Sequence, residues 1–171
     1  MVEQVSVSRE IAAPAERVWA LVSDVTRMGE WSPETERCTW LGNAVSPAPG
    51  ARFRGINRRG RRRWSTVATV LEADPGRSAG PFTVADWAYR FEPTASGCRV
   101  TETWTDLRGR LITALGKPIS GVADRAAHNR VTMEQTLARL AAAAEAPSAP
   151  GVPASGPVPE RSPAPETGAG S

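Results

Sequence analysis

The sequence predicts an α+β fold in which an antiparallel sheet of about six to seven strands wraps around one long C-terminal helix, with two short helices after the first strand. Three observations carry this. The chain opens on an apolar–polar alternation that gives way at once to helical spacing. Its middle is a series of short strand-like runs whose separating turns are too brief for parallel crossovers. Its last periodic stretch repeats apolar residues at helical intervals.

At the start, Val5, Val7 and Ile11 alternate with Gln4, Ser6, Ser8 and Glu10, the period of a half-buried strand. In "APAERVWALVSDV" the period changes: Val18, Leu21, Val22 and Val25 fall at i, i+3, i+4 and i+7, with Pro14 where a first helical turn tolerates a missing N–H. "TRMGEWSPET" then interrupts with Gly29 and Pro33, and a short helical turn or loop there should present Trp31.

Strand-like runs follow at about 35 to 42, 51 to 58, 63 to 73, 81 to 85, 86 to 92 and 98 to 106. The turns between them are read at "SPAPG", "RRG", "DPGRSAG" and "PTASG". In the last two runs Trp87, Tyr89 and Phe91 share one face and Val100 and Trp104 the matching one, while Arg90, Glu92, Arg99, Thr101, Thr103 and Thr105 lie opposite. Such a sheet is covered on one side and wet on the other. The cover should be a helix from about 121 to 145, where Met133, Leu137, Leu140, Ala141 and Ala144 recur at helical spacing and Asp124 stands near the start.

Composition limits what the rest can mean. A chain of 171 residues, 40% apolar and 23% charged, suits one domain with a sizeable core. That domain is read over residues 1–145. From 146 to 171, seven of 26 residues are proline and no Leu, Ile, Met or aromatic residue appears, so a disordered tail is expected.

The formal charge is +3, and Arg58, Arg59, Arg61, Arg62 and Arg63 of "NRRGRRRW" supply +5, leaving −2 for the remainder. Basicity is thus confined to one hairpin tip, with Gly60 as its turn. A nucleic-acid role is disfavoured, because the wet face lacks the stacking aromatics of single-strand readers; an acidic partner at Arg58 to Arg63 is the intermediate reading.

Cys38 and Cys98 are too few for a disulfide framework and too isolated for a zinc site, so two reduced thiols and no metal or cofactor are expected. The opening residues carry Glu3 and Glu10 and do not read as a signal peptide, and no window approaches the roughly 20 apolar residues of a membrane span. A cytoplasmic location without membrane insertion is the expectation.

The opening strand with "APAERVWALVSDV", the "EWSPE" loop, "GARFRG", and "TETW" ahead of a terminal "MEQTLARL" helix resemble, in order and spacing, the START/Bet v1-like (SRPBCC) superfamily, in its bacterial polyketide cyclase/dehydrase and lipid-transport branch. The resemblance covers nearly all of residues 2 to 145. It implies a helix-grip fold, with a cavity between sheet and helix that holds a hydrophobic or aromatic small molecule. Six tryptophans among ten aromatic residues give that some independent support, since rigid rings with one polar N–H suit a pocket wall; filling a core is the plainer alternative.

On that reading the lining comes from Trp87, Tyr89, Phe91 and Trp104 on the last two strands, Phe53, Asn57 and Trp64 on the earlier hairpin, and Met133 and Leu137 on the helix. Trp31 is placed at the cavity mouth. Glu102 follows the alternation of Val100 and Trp104, so it points to the covered face, where desolvation would raise its pKa and fit it as a general acid or base or as a hold on a polar ligand group. The alternatives are an internal ion pair with Arg52 or Arg54 and a ladder shifted by a bulge that turns Glu102 outward. If Phe53 points inward, Asn57 does too and those arginines point out. His128, the single histidine, flanks the Met133/Leu137 stripe and is expected to be exposed, and no spacing supports a hydrolase triad.

Three functions are therefore carried forward: a module that binds a lipid or polyketide-like molecule; a cyclase/dehydrase-type enzyme using the same cavity, with Glu102 moving protons; and a partner- or RNA-binding protein acting through the Arg58 to Arg63 hairpin. The resemblance implies the last, through superfamily members that look like ribosome-association toxins or coenzyme-Q-binding proteins.

Overall fold

The computed structural model describes residues 3–74, 77–82, 85–107, 122 and 124–147, with backbone alone over 77–82. Strand β1 (Gln4–Ile11) leads through Pro14, which caps without a side-chain bond, into helix α1 (Ala15–Ser23). A 3-10 turn (Val25–Glu30) follows, its first turn held by Asp24, whose side chain accepts from the Thr26 N–H at 3.1 Å. Then come β2 (Thr35–Leu41), β3 (Arg52–Arg59), β4 (Arg62–Thr69), β5 (Glu72–Asp74), β6 (Arg77–Phe82), β7 (Ala85–Thr94), β8 (Gly97–Asp106) and helix α2 (Arg125–Glu145).

These strands form one antiparallel eight-stranded sheet in the order β1-β8-β7-β6-β4-β3-β2, with β5 paired to β6 off that path. The count exceeds the expected six to seven for a local reason. The run read as 63 to 73 breaks at Val70 and Leu71 into β4 and β5. Moreover, "DPGRSAG" is not all turn, because Arg77 to Gly80 pair with Arg90 to Trp87 of β7. Arg, Ser and Gly have weak strand preference, and the ladder to β7 overrides it.

The N-terminal strand pairs with the last one, Gln4 opposite Thr105 through to Ile11 opposite Cys98, which sets β8 inside the sheet. At the other end β2 is an edge strand, with a bulge where the register shifts between Thr35 and Arg37. Helix α2 starts at Arg125 and not near 121, because Asp124 is its N-cap and accepts from the Ala127 N–H at 2.9 Å. The part of the expected helix before 124 and the expected tail beyond 147 lie outside the described residues, Val122 excepted.

Helix α2 lies along β1 and β8 and meets α1. The apolar interior divides accordingly. One cluster joins α1, α2, β7 and β8 through Val18, Phe91, Val100, Leu137 and Leu140; a second, on the far strands, joins Cys38, Phe53, Ala68 and Val70; a third joins Val5, Ala85, Trp104 and Met133. Both cysteines are free and buried, and burial pushes the Cys38 thiol up to about 11, so it is not a ready nucleophile. Among the described residues no helix is long and apolar enough to cross a membrane.

Candidate functional site

The covered face of β7 and β8 carries at its centre three facing pairs: Trp87 with Trp104, Tyr89 with Glu102, and Phe91 with Val100. Alternation fixes which side chains share it. Phe91, Val100 and Trp104 are fully buried, as is Glu102, 3% exposed. Trp87 and Tyr89, on the same face and between those buried neighbours, are only half-buried. Tyr89 also stacks on Phe91, with ring centroids 6.4 Å apart.

The Tyr89 hydroxyl donates to Glu102 Oε1 at 2.8 Å. Glu102 Oε2 is buried and has no partner among the described residues. The ion pair with Arg52 or Arg54 does not form: Phe53 points inward, so both arginines fall on the opposite, exposed face. Desolvation therefore dominates. It raises the Glu102 carboxyl to about 8, against the Tyr89 hydrogen bond, which pulls the other way. Burial likewise pushes the Tyr89 phenol well above its ordinary range, and the adjoining Glu102 charge adds to this. At neutral pH Glu102 is mostly a neutral acid.

Across the sheet, Phe53 packs edge-on against Trp40, with centroids 5.8 Å apart, and Trp64 stands half-buried opposite Asn57. Both ends of the Asn57 amide are engaged within the protein: Oδ1 accepts from the Thr35 hydroxyl and Nδ2 donates to Thr66 Oγ1, each at 3.2 Å. Asn57 thus ties β2, β3 and β4 together, which leaves little of it for a guest.

From α2, Met133 and Leu137 are both buried, Met133 against Trp104 and Leu137 in the cluster of Phe91 and Val100. Sequence reasoning passed over Asn129. It lies four residues before Met133 on the same stripe, is 4% exposed, and its Nδ2 has no partner among the described residues. The signal was available, as a polar residue at helical spacing from a buried one faces inward.

Two placements differ from expectation. Trp31 does not sit at an open rim: it is 2% exposed, packed in the cluster of α1, β8 and α2, with the Arg27 guanidinium 5.6 Å above its ring. A ring of that area gains more from the core than from a loop edge. His128 is not exposed either; it lies 2.8 Å from Glu34 Oε1. The arginine hairpin is partly neutralised, with Arg63 at 2.8 Å and Arg58 at 3.6 Å from Glu36, and Arg59 at 3.9 Å from Glu34. Its attraction for phosphate is reduced to match.

Among the described residues no three His, Cys, Asp or Glu side chains gather as a metal's ligands would. A surface depression of about 270 Å³ between β2 and β3, lined by residues such as Asn43 and Arg52, involves none of the inward-facing groups above.

Comparison with known proteins agrees with this architecture. The profile of the family described as polyketide cyclase/dehydrase and lipid transport matches residues 2–145. The chain belongs to that family. The chain is also 32% identical to a Polyketide_cyc-like protein of Corynebacterium glutamicum, over 84% of this chain and 83% of that one, with a TM-score of 0.50. A protein of Chromobacterium violaceum shares the fold at 18% identity, over 85% and 99% of the two chains, with a TM-score of 0.62. The di-domain ARO/CYC StfQ of the steffimycin biosynthetic pathway shares it at 14% identity and a TM-score of 0.66, over 85% of this chain and 51% of that one. No curated protein matches.

Proposed function

We propose that this family member binds a hydrophobic, lipid-like or polyketide-like small molecule between the inner face of β7–β8 and helix α2. One observation carries the reading: Trp87 and Tyr89 face inward yet keep accessible surface between fully buried neighbours. Inward-facing aromatic rings that keep some accessible surface support an internal space beside them. The separation of the far-strand cluster from the α2 cluster supports the same space. So does the family description, which names polyketide chemistry and lipid transport together.

Native mass spectrometry of the chain purified from its own cells, paired with tryptophan fluorescence against a panel of lipids and polycyclic aromatics, tests this. A co-purifying apolar mass, or saturable quenching by a panel member, is the expected result. Neither appearing would overturn the reading.

A second reading, an enzyme of the cyclase/dehydrase type, is favoured by Glu102: a buried neutral acid with one free oxygen can hand a proton to a leaving hydroxyl. Under it, Glu102→Gln leaves binding intact and abolishes turnover.

A further inference from the structure

Glu102 Oε2 is one feature that core packing does not account for. A buried carboxyl oxygen without a hydrogen-bond partner is a cost to folding that a packed apolar residue would avoid. Its other oxygen is held by Tyr89 at 2.8 Å, which leaves Oε2 as the free end of the carboxyl. The carboxyl stands in the middle of β8, between Val100 and Trp104 and opposite Val7 of β1.

Charge around it is sparse. From β7 the titratable neighbour is Tyr89. On the same ladder face of β8 lie Cys98 and Asp106, each at least two positions further along its alternation. From β1, Arg9 shares the face by register but is exposed and stands opposite Val100. From α2, His128 is turned to Glu34, and the side chains over this part of the sheet are Met133 and Leu137. No cation among the described residues contacts Glu102. Such a group is most stable protonated, with Oε1 as the acceptor for Tyr89 and Oε2 as a hydroxyl donor.

Resting on the reading that the space holds a guest, we propose that Glu102, steadied by Tyr89, donates a hydrogen bond to a carbonyl oxygen of the bound molecule, so that the site selects aromatic ketones over the matching hydrocarbons and amines. An ammonium guest would require both it and the carboxylate to be desolvated as ions, at several kcal/mol each, whereas a neutral acid meeting a ketone carries no such cost. A plain hydrocarbon leaves Oε2 as it is, still unpartnered. A site that hydrogen-bonds its guest rejects the analogue lacking that group, because the buried polar atom is then left alone.

The test uses the full chain and three naphthalene probes of one skeleton: 2-acetonaphthone, 2-ethylnaphthalene and 1-(2-naphthyl)ethylamine, each titrated by tryptophan quenching and calorimetry. The ketone is expected to bind on the order of tenfold tighter than the hydrocarbon near neutral pH. That preference should fade about a unit or more above pH 8, as the donor proton is lost. Glu102→Gln, whose amide still donates, should keep the preference and lose its pH dependence; Glu102→Leu should lose the preference while still binding the hydrocarbon.

Equal affinity for ketone and hydrocarbon would sink the proposal and leave the small-molecule reading standing. Tighter binding of the amine would also sink it, by showing a charged carboxylate. If no probe binds, the proposal falls, and the co-purification and panel measurements above decide the small-molecule reading.

Discussion

His128 of α2 and Glu34 of the loop before β2 meet at 2.8 Å across 94 positions of sequence. The same carboxylate oxygen lies 3.9 Å from Arg59 Nε. One side chain thus links the loop, the β3–β4 hairpin and the first turn of the long helix. Partners 22% and 21% exposed are screened by water, so the link is modest. Glu34→Gln and His128→Ala should each cost about 0.5 to 1 kcal/mol in urea denaturation, and the double variant less than their sum. Strict additivity would mean that the contact does nothing.

Glu102 makes stability fall as pH rises. Its carboxyl is raised to about 8 in the folded chain from an ordinary 4.5, so between those values the folded state holds a proton that the unfolded state has released. Its contribution is fully present below about pH 4.5 and is lost on the way to about 8, a swing on the order of 5 kcal/mol. Denaturation midpoints from pH 5 upward should decline, and Glu102→Gln should flatten that decline. Tyr89→Phe should extend it to higher pH, since the Tyr89 hydrogen bond is what holds the carboxyl down. A wild-type midpoint level across this range would contradict the burial argument.

Gly97 opens β8 with φ +156°, and a Cβ there would lie 2.1 Å from the Ile11 carbonyl oxygen and 2.7 Å from the Ala13 nitrogen. Both neighbours are backbone and cannot step aside. Gly97→Ala should therefore destabilise by about 3 kcal/mol or more, through a displaced β1–β8 end and a strained dihedral. Thermal unfolding measures it; a loss within about 0.5 kcal/mol would mean that the β1–α1 corner yields easily.

Local pattern carried most of the strand and helix assignments, because period-2 and helical spacing are properties of neighbouring residues. Glu102 was legible for the same reason: Val100 and Trp104 bracket it, and alternation alone turns it inward. Its Tyr89 partner follows only from the β7–β8 register, which the turn at Ala95 and Ser96 sets and the residue types do not. The His128–Glu34 pair was invisible, since nothing local joins the start of α2 to the start of β2. Trp31 misled because a loop position suggested an edge, whereas tertiary packing folded that loop onto the core. The break between β4 and β5 was missed where "DPGRSAG" offered a stronger turn signal a few residues later.

The bulge in β2 has a bearing on how copies of the chain meet. A flat free edge would be a template onto which another molecule could add its own strand. Here that border is kinked between Thr35 and Arg37, and it carries exposed Glu36, Arg37 and Thr39. Stacking edge to edge is thereby discouraged, so the kink and its charges act as a guard against fibrillar growth at this border of the sheet.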